Sequence, residues 1–259
     1  MGLCRAGGVL SIRRRTSSLL YLFCLAMPRK PLLPTYARAG VELGPGFLET
    51  RPHVAAEIAR CVGLWSDVEF QNAQFLASLL HATAAPAVAV YLALKNSRTR
   101  QDVLAAAARA VLNDRNYELF GAIQRVGASL ESQRNDIVHG LYGKSDQIPD
   151  GVLWMSSHDR IKHSLALGSM SAASRYVLRH EAIRRLRQDI FVYEISDLMS
   201  LAAEIETHRQ NVQLFTGLHG QKDTPSADEL YLRLCSSPRI REALSRIRAD
   251  RQKSSQAPP

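Results

Sequence analysis

Arg134, Asn135 and His139 stand in the spacing Arg-Asn-x-x-x-His, with Gly140 directly after. A guanidinium offers a planar fork of donors that can hold a phosphate. An imidazole moves a proton near neutral pH, and an amide can orient either partner. These residue types suit phosphodiester cleavage without a metal: one group fixes the phosphate, the other serves the 2′-hydroxyl or the leaving oxygen. A structural account of the same residues makes Arg134 a buried ion-pair residue and His139 a helix cap. Exposure separates the two, because a site must leave His139 within about 3 Å of an incoming phosphate. A second Arg-x4-His occurs at Arg175–His180, without the polar neighbour or the glycine stop. We treat it as coincidence.

The motif closes a helical pattern that opens at an Asn113-Asp114 cap. At about 100° per residue, Phe120, Ile123, Gly127, Leu130, Ile137 and Val138 form one apolar stripe, and Arg134 falls in its middle. An arginine on a core-facing line needs a partner. Asn135 and His139 share a neighbouring face with Ala128 and Ser132. Gly140 can take the left-handed conformation that ends a helix. Glu69 is a second charge in an apolar sector, between Leu76 and Leu80 of an earlier helix. The simplest resolution is an ion pair between Glu69 and Arg134, which would aim the guanidinium.

The elements around the motif read as helices: Pro52–Val62, Ser66–His81, Pro86–Leu94, Arg98–Leu112 behind a Ser97 cap, Arg179–Arg209 and Ala227–Arg248. After Gly140 come a Pro149-Asp150-Gly151 turn and one short strand, Val152–Met155. Residues 156–174 read as loop and residues 217–225 as linker. There is no internal repeat and no strand–helix alternation. The fold class is therefore all-α: a helical bundle with a short β-hairpin or irregular insertion after the motif helix. Three segments are expected: a basic, Pro/Gly-rich arm over 1–50, a helical domain over 51–215, and a C-terminal helix with a basic tail over 216–259.

The net charge of +9 suggests nucleic acid. Residues 1–41, however, hold seven basic residues and no acid, and subtracting seven from nine leaves only +2 for residues 42–259. Global charge is thus no evidence for RNA or DNA. Basic clusters at Arg175–Arg187 and Arg239–Lys253 read as solvated helix faces. Four scattered cysteines give neither a zinc site nor a disulfide framework, which fits a reducing cytoplasm. His158, His163 and Asp159 lack zinc-enzyme spacing, and no metal or other cofactor is expected. The N-terminus carries Arg13-Arg14-Arg15 before an apolar run, Leu19–Ala26, that is too short to span a bilayer. It reads as a misassigned start upstream of Met27, as a signal peptide, or as a basic tail. No membrane partner is expected.

Arg134-Asn135-x-x-x-His139-Gly140 at the end of a long helix in an all-α chain resembles the HEPN superfamily, whose hallmark is an Arg-x4–6-His motif. The Trp65-Ser-Asp-Val-Glu69 opening of an earlier apolar helix and the long helix after Arg179 agree with that resemblance. It covers residues 55–210. It implies a metal-independent endoribonuclease acting as a homodimer on RNA. Arg134, His139 and Asn135 would be its catalytic residues, in a toxin or phage-defence setting with an antitoxin or other protein partner. The alternative within the same resemblance is a non-catalytic helical module that binds a protein or nucleotide.

Overall fold

The computed structural model describes residues 29–37, 39–44, 46–168, 184–220 and 225–256. Both the second Arg-x4-His, Arg175–His180, and the Met27 start lie outside the described residues. The fold is mostly helical, with a small antiparallel sheet.

Pro52 occupies the first turn of α1 (Pro52–Leu79), where its missing N–H costs nothing. The expected break near Gly63 does not occur, and one 28-residue helix replaces two. His81, in the left-handed conformation at φ 50°, ends it. Ala82 N–H donates to the Ala77 carbonyl at 3.0 Å and His81 N–H to Ser78 at 3.3 Å, the bond pattern of a Schellman stop. Helix α2 (Ala84–Ala93) follows, and then α3 (Ser97–Val111), which Asn96 rather than Ser97 caps by accepting from Thr99 N–H at 2.7 Å. Asn113 caps α4 (Asp114–His139), as expected, by accepting from Asn116 N–H.

A β-hairpin follows α4 directly: β3 (Gly140–Lys144) and β4 (Gly151–Ser156). It belongs to a five-stranded antiparallel sheet that the all-α reading does not contain. The proline-rich arm supplies both of the sheet's edges. With β1 as Lys30–Pro31, β2 as Glu42–Leu43 and β5 as Phe191–Glu194, the order is β1-β5-β4-β3-β2. Lys30–Pro31 and Glu42–Leu43 thus join the arm to the sheet. The continuous apolar run of β4 is explained by burial on both faces. Val152 and Trp154 join the helical core, while Leu153 and Met155 meet Leu32, Ala39, Ile190 and Val192 on the other side.

Three further expectations are corrected. Residues 157–168, expected as loop, form α5 (Ser157–Gly168). Ser156 caps it, its Oγ accepting from Asp159 N–H at 3.0 Å and donating to Asp159 Oδ2 at 2.6 Å. The helix expected from Arg179 to Arg209 is interrupted by β5. Its successor α6 (Ile195–Gly220) starts anew, with Asp197 reaching back to Glu194 N–H at 3.0 Å. The last helical piece is two helices, α7 (Pro225–Ser236) and α8 (Pro238–Gln256). Leu234, Ile240 and Leu244 bury them in the same core as α1 and α6. Phe75, Phe120 and Phe215, with centroids 5.2–6.2 Å apart, tie α1, α4 and α6 together.

Candidate functional site

The last turn of α4 ends with backbone carbonyls that have no partner within the helix. Side chains of the following elements take them. Trp154 Nε1 donates to the Asp136 carbonyl at 2.9 Å, the Tyr142 hydroxyl donates to Ile137, and the Ser157 hydroxyl donates to His139. The hairpin and α5 thus fix the end of the motif helix by its backbone, without using the side chains of Asn135 or His139.

Gly140 differs from expectation. It is extended, at φ −86° and ψ 161°, not left-handed. Glycine is needed here for space: a Cβ would lie 1.7 Å from Trp154 Nε1. The missing side chain at Gly140 leaves the space that the Trp154 indole occupies.

His139 is exposed, and Asn135 is half-buried. Among the described residues no protein group hydrogen-bonds either side chain. Ala128 and Ser132 are exposed on the same face, so the outward stripe runs Ala128, Ser132, Asn135, His139. Val138 does not belong to the buried stripe, being 40% exposed. The rest of that stripe is buried as expected, except at Arg134.

Arg134 is half-buried and its Nε has no hydrogen-bond partner. Its guanidinium carbon lies 5.5 Å from the centroid of the Trp65 ring on α1, a cation–π arrangement. The expected ion pair with Glu69 is not formed. Glu69 meets Arg100 of α3 instead, at 3.1 Å. Arg100 is the more firmly held cation, because its Nε also donates to the Leu94 carbonyl at 2.8 Å. Among the described residues no carboxylate lies within ion-pair distance of Arg134. An aromatic platform, not an acid, carries the arginine. Trp65 in turn stacks on the imidazole of His208, with centroids 6.4 Å apart and planes 13° from parallel. Burial, seconded by Arg239, lowers the His208 pKa to about 4.

Asp136 faces the sheet. Its carboxylate is 3.3 Å from Arg29, which sits over the rings of Trp154 and Phe191 at 4.4 and 4.6 Å. Burial raises the Asp136 pKa, and Arg29 opposes that rise. Arg29, Trp65, Trp154 and His208 are the residues around the motif that its spacing could not reveal, since each comes from a distant element.

At 100° per residue, Arg134 and His139 leave α4 about 140° apart. One copy of the helix therefore directs them to different sides. No protein-family model, curated protein or solved structure matches the chain. The site must be read from its own geometry.

The other candidates have structural work. Asp159, in the first turn of α5, accepts from the Ser156 hydroxyl, and His163 Nε2 lies 2.8 Å from Asp189. No group of three potential metal ligands occurs among the described residues. The C-terminal basic cluster is a solvated face, as expected, and four of its arginines form ion pairs on it: Arg239 with Glu204, Arg246 with Glu242, Arg248 and Arg251 with Glu118. None of the described helices is long and apolar enough to cross a membrane.

Proposed function

We propose that the chain is a HEPN-like, metal-independent endoribonuclease that works as a homodimer. The observation that supports this most is the state of the motif side chains. Among the described residues Asn135 and His139 have no hydrogen-bond partner and Arg134 has no counterion, and the helix beneath them is pinned by three side-chain bonds to its carbonyls. A structural role for Arg134 would call for an acid beside it, and the nearby acid, Glu69, is bound elsewhere.

In this reading Arg134 grips the scissile phosphate, positioned by the Trp65 face. His139 accepts the 2′-hydroxyl proton as that oxygen attacks phosphorus. The bond to the 5′ oxygen breaks, the leaving oxygen takes a proton from solvent, and a 2′,3′-cyclic phosphate remains. Asn135, one turn before His139, orients the phosphate or the imidazole. The divergence of Arg134 and His139 favours a composite site, with Arg134 from one copy and His139 from the other. The small Ala128 and Ser132 beside His139 leave room for a second helix to approach.

Mixing two inactive variants tests this. In a heterodimer of Arg134→Ala with His139→Ala, one composite site keeps both residues and the other keeps neither. An equimolar re-equilibrated mixture should recover about a quarter of wild-type activity, since half the dimers carry one good site of two. No recovery in a mixture proven to contain heterodimer rules out the composite arrangement. Light scattering that shows only monomer at tens of micromolar rules out the dimer.

A further inference from the structure

Helix α2 has the composition of a buried helix and the exposure of a surface one. From Ala84 to Leu94 the sequence carries no charged side chain, and Tyr91 is the only hydrogen-bonding one. Ala87 and Tyr91 turn toward the bundle and are buried. Leu92, Ala85, Ala89, Ala93, Pro86 and Val90 fill an arc of about 160° on the other side, and all six are exposed. Val90 is 60% exposed and Leu92 50%. A helix that is apolar all round is ordinarily enclosed, and a continuous exposed apolar face marks an interaction surface.

The free charges beside this face are of one sign. The chain has no acidic residue from Phe70 to Gln101. Arg100, in that stretch, is engaged by Glu69. Lys95 and Arg98 follow α2 directly and are exposed, and among the described residues neither has an ion-pair partner. The face thus fits an apolar phase bordered by negative charge. Its size argues against a second copy. Ten residues make a face about 15 Å long and about 10 Å across, a few hundred Å² against the roughly 800 Å² per partner of a stable protein interface. Such an interface also carries about one hydrogen bond per 100–200 Å², and no side chain on this face can form one. The face is a ridge, and a ridge enters a lipid headgroup layer without needing a matching groove. None of the described helices is long and apolar enough to cross a membrane, so the contact is with the surface alone.

We propose that α2 docks the protein on an anionic lipid surface. Val90, Leu92 and the alanines between them sink to the boundary of headgroups and acyl chains, while Lys95 and Arg98 meet the anionic headgroups. The apolar and the basic contact are two weak signals that together give reversible attachment. The surface does not include Arg134, Asn135 or His139 and does not rest on the nuclease reading.

Sedimentation of the full chain with vesicles tests this, using phosphatidylcholine alone and phosphatidylcholine with about one-third phosphatidylserine. The wild type should pellet with the anionic vesicles and stay in solution with the neutral ones, and added salt should release it. Val90→Glu with Leu92→Glu changes two exposed positions, so the melting temperature should hold while binding weakens at least about tenfold. Lys95→Glu with Arg98→Glu should weaken it likewise without touching the apolar face. Absence of wild-type binding to the anionic vesicles overturns the proposal. Binding that survives either double substitution does so too, because it then comes from elsewhere in the chain, such as Arg13–Arg15 and the apolar run after them. Light scattering adds a third arm: an assembly that Val90→Glu with Leu92→Glu dissociates would show that a second copy covers α2, and would overturn the lipid surface as its partner.

Discussion

Trp154 lies where a side chain on Gly140 would be: a Cβ there would come within 1.7 Å of the indole Nε1. The same nitrogen bonds the Asp136 carbonyl, so the tryptophan both closes the motif helix and excludes any larger residue after it.

Gly140→Ala should therefore destabilise the fold by about 3 kcal/mol, the range of overpacking. Gly140→Asn separates this account from the left-handed one. Asparagine tolerates a left-handed stop, so conformation alone would make it mild, whereas overpacking makes it at least as damaging as alanine. Urea denaturation of both variants decides between them.

Acid should weaken the protein through His208. Its folded pKa, held at about 4 by burial, lies below the ordinary 6.5. Above pH 6.5 the imidazole is neutral in both states. Between 6.5 and 4 the unfolded chain binds a proton that the folded one refuses, so stability falls as pH falls and levels off below 4. The two values correspond to a total of roughly 3 kcal/mol. His208→Gln should flatten this part of the pH–stability curve. An unchanged slope in the variant would remove His208 as its source.

Glu69 should couple to Arg100 and not to Arg134. Glu69→Gln should cost about 1 kcal/mol of stability, and Glu69→Leu with Arg100→Met should recover much of it, since apolar replacement of both partners is often neutral. A double-mutant cycle with Arg100 should be non-additive. The cycle with Arg134 should be additive within about 0.5 kcal/mol. The reverse pattern would restore the pairing expected from the two helical wheels.

That expected pairing shows what local pattern can carry. A wheel places Arg134 and Glu69 on core-facing lines, and both are partly enclosed, but it cannot say which helix lies opposite. Arg100 of α3 and Trp65 of α1 supply the partners, and neither is near its target in sequence. The Asn113 cap, the end of α4 at Gly140 and the strand Val152–Met155 are local signals and were legible. β5 was not, because Ile190 and the residues before it continue a helical spacing. Only pairing with Lys30–Pro31 and β4 makes Phe191–Glu194 a strand. The edge strands are two residues long each, inside a proline-rich stretch whose composition argues for loop. That Asn135 and His139 share a face followed from their four-residue spacing, whereas the exposure of that face and the aromatic bed of Arg134 required the fold.

The central claim is that His139 moves a proton during RNA cleavage without metal. Purified wild-type protein and His139→Ala, matched in melting temperature, should be incubated with single-stranded RNA in excess EDTA and the product ends analysed. The account predicts 2′,3′-cyclic phosphate ends from the wild type and at least about a hundredfold less cleavage from the variant. Equal cleavage by the two proteins, or none by the wild type at any concentration where it is dimeric, would contradict it.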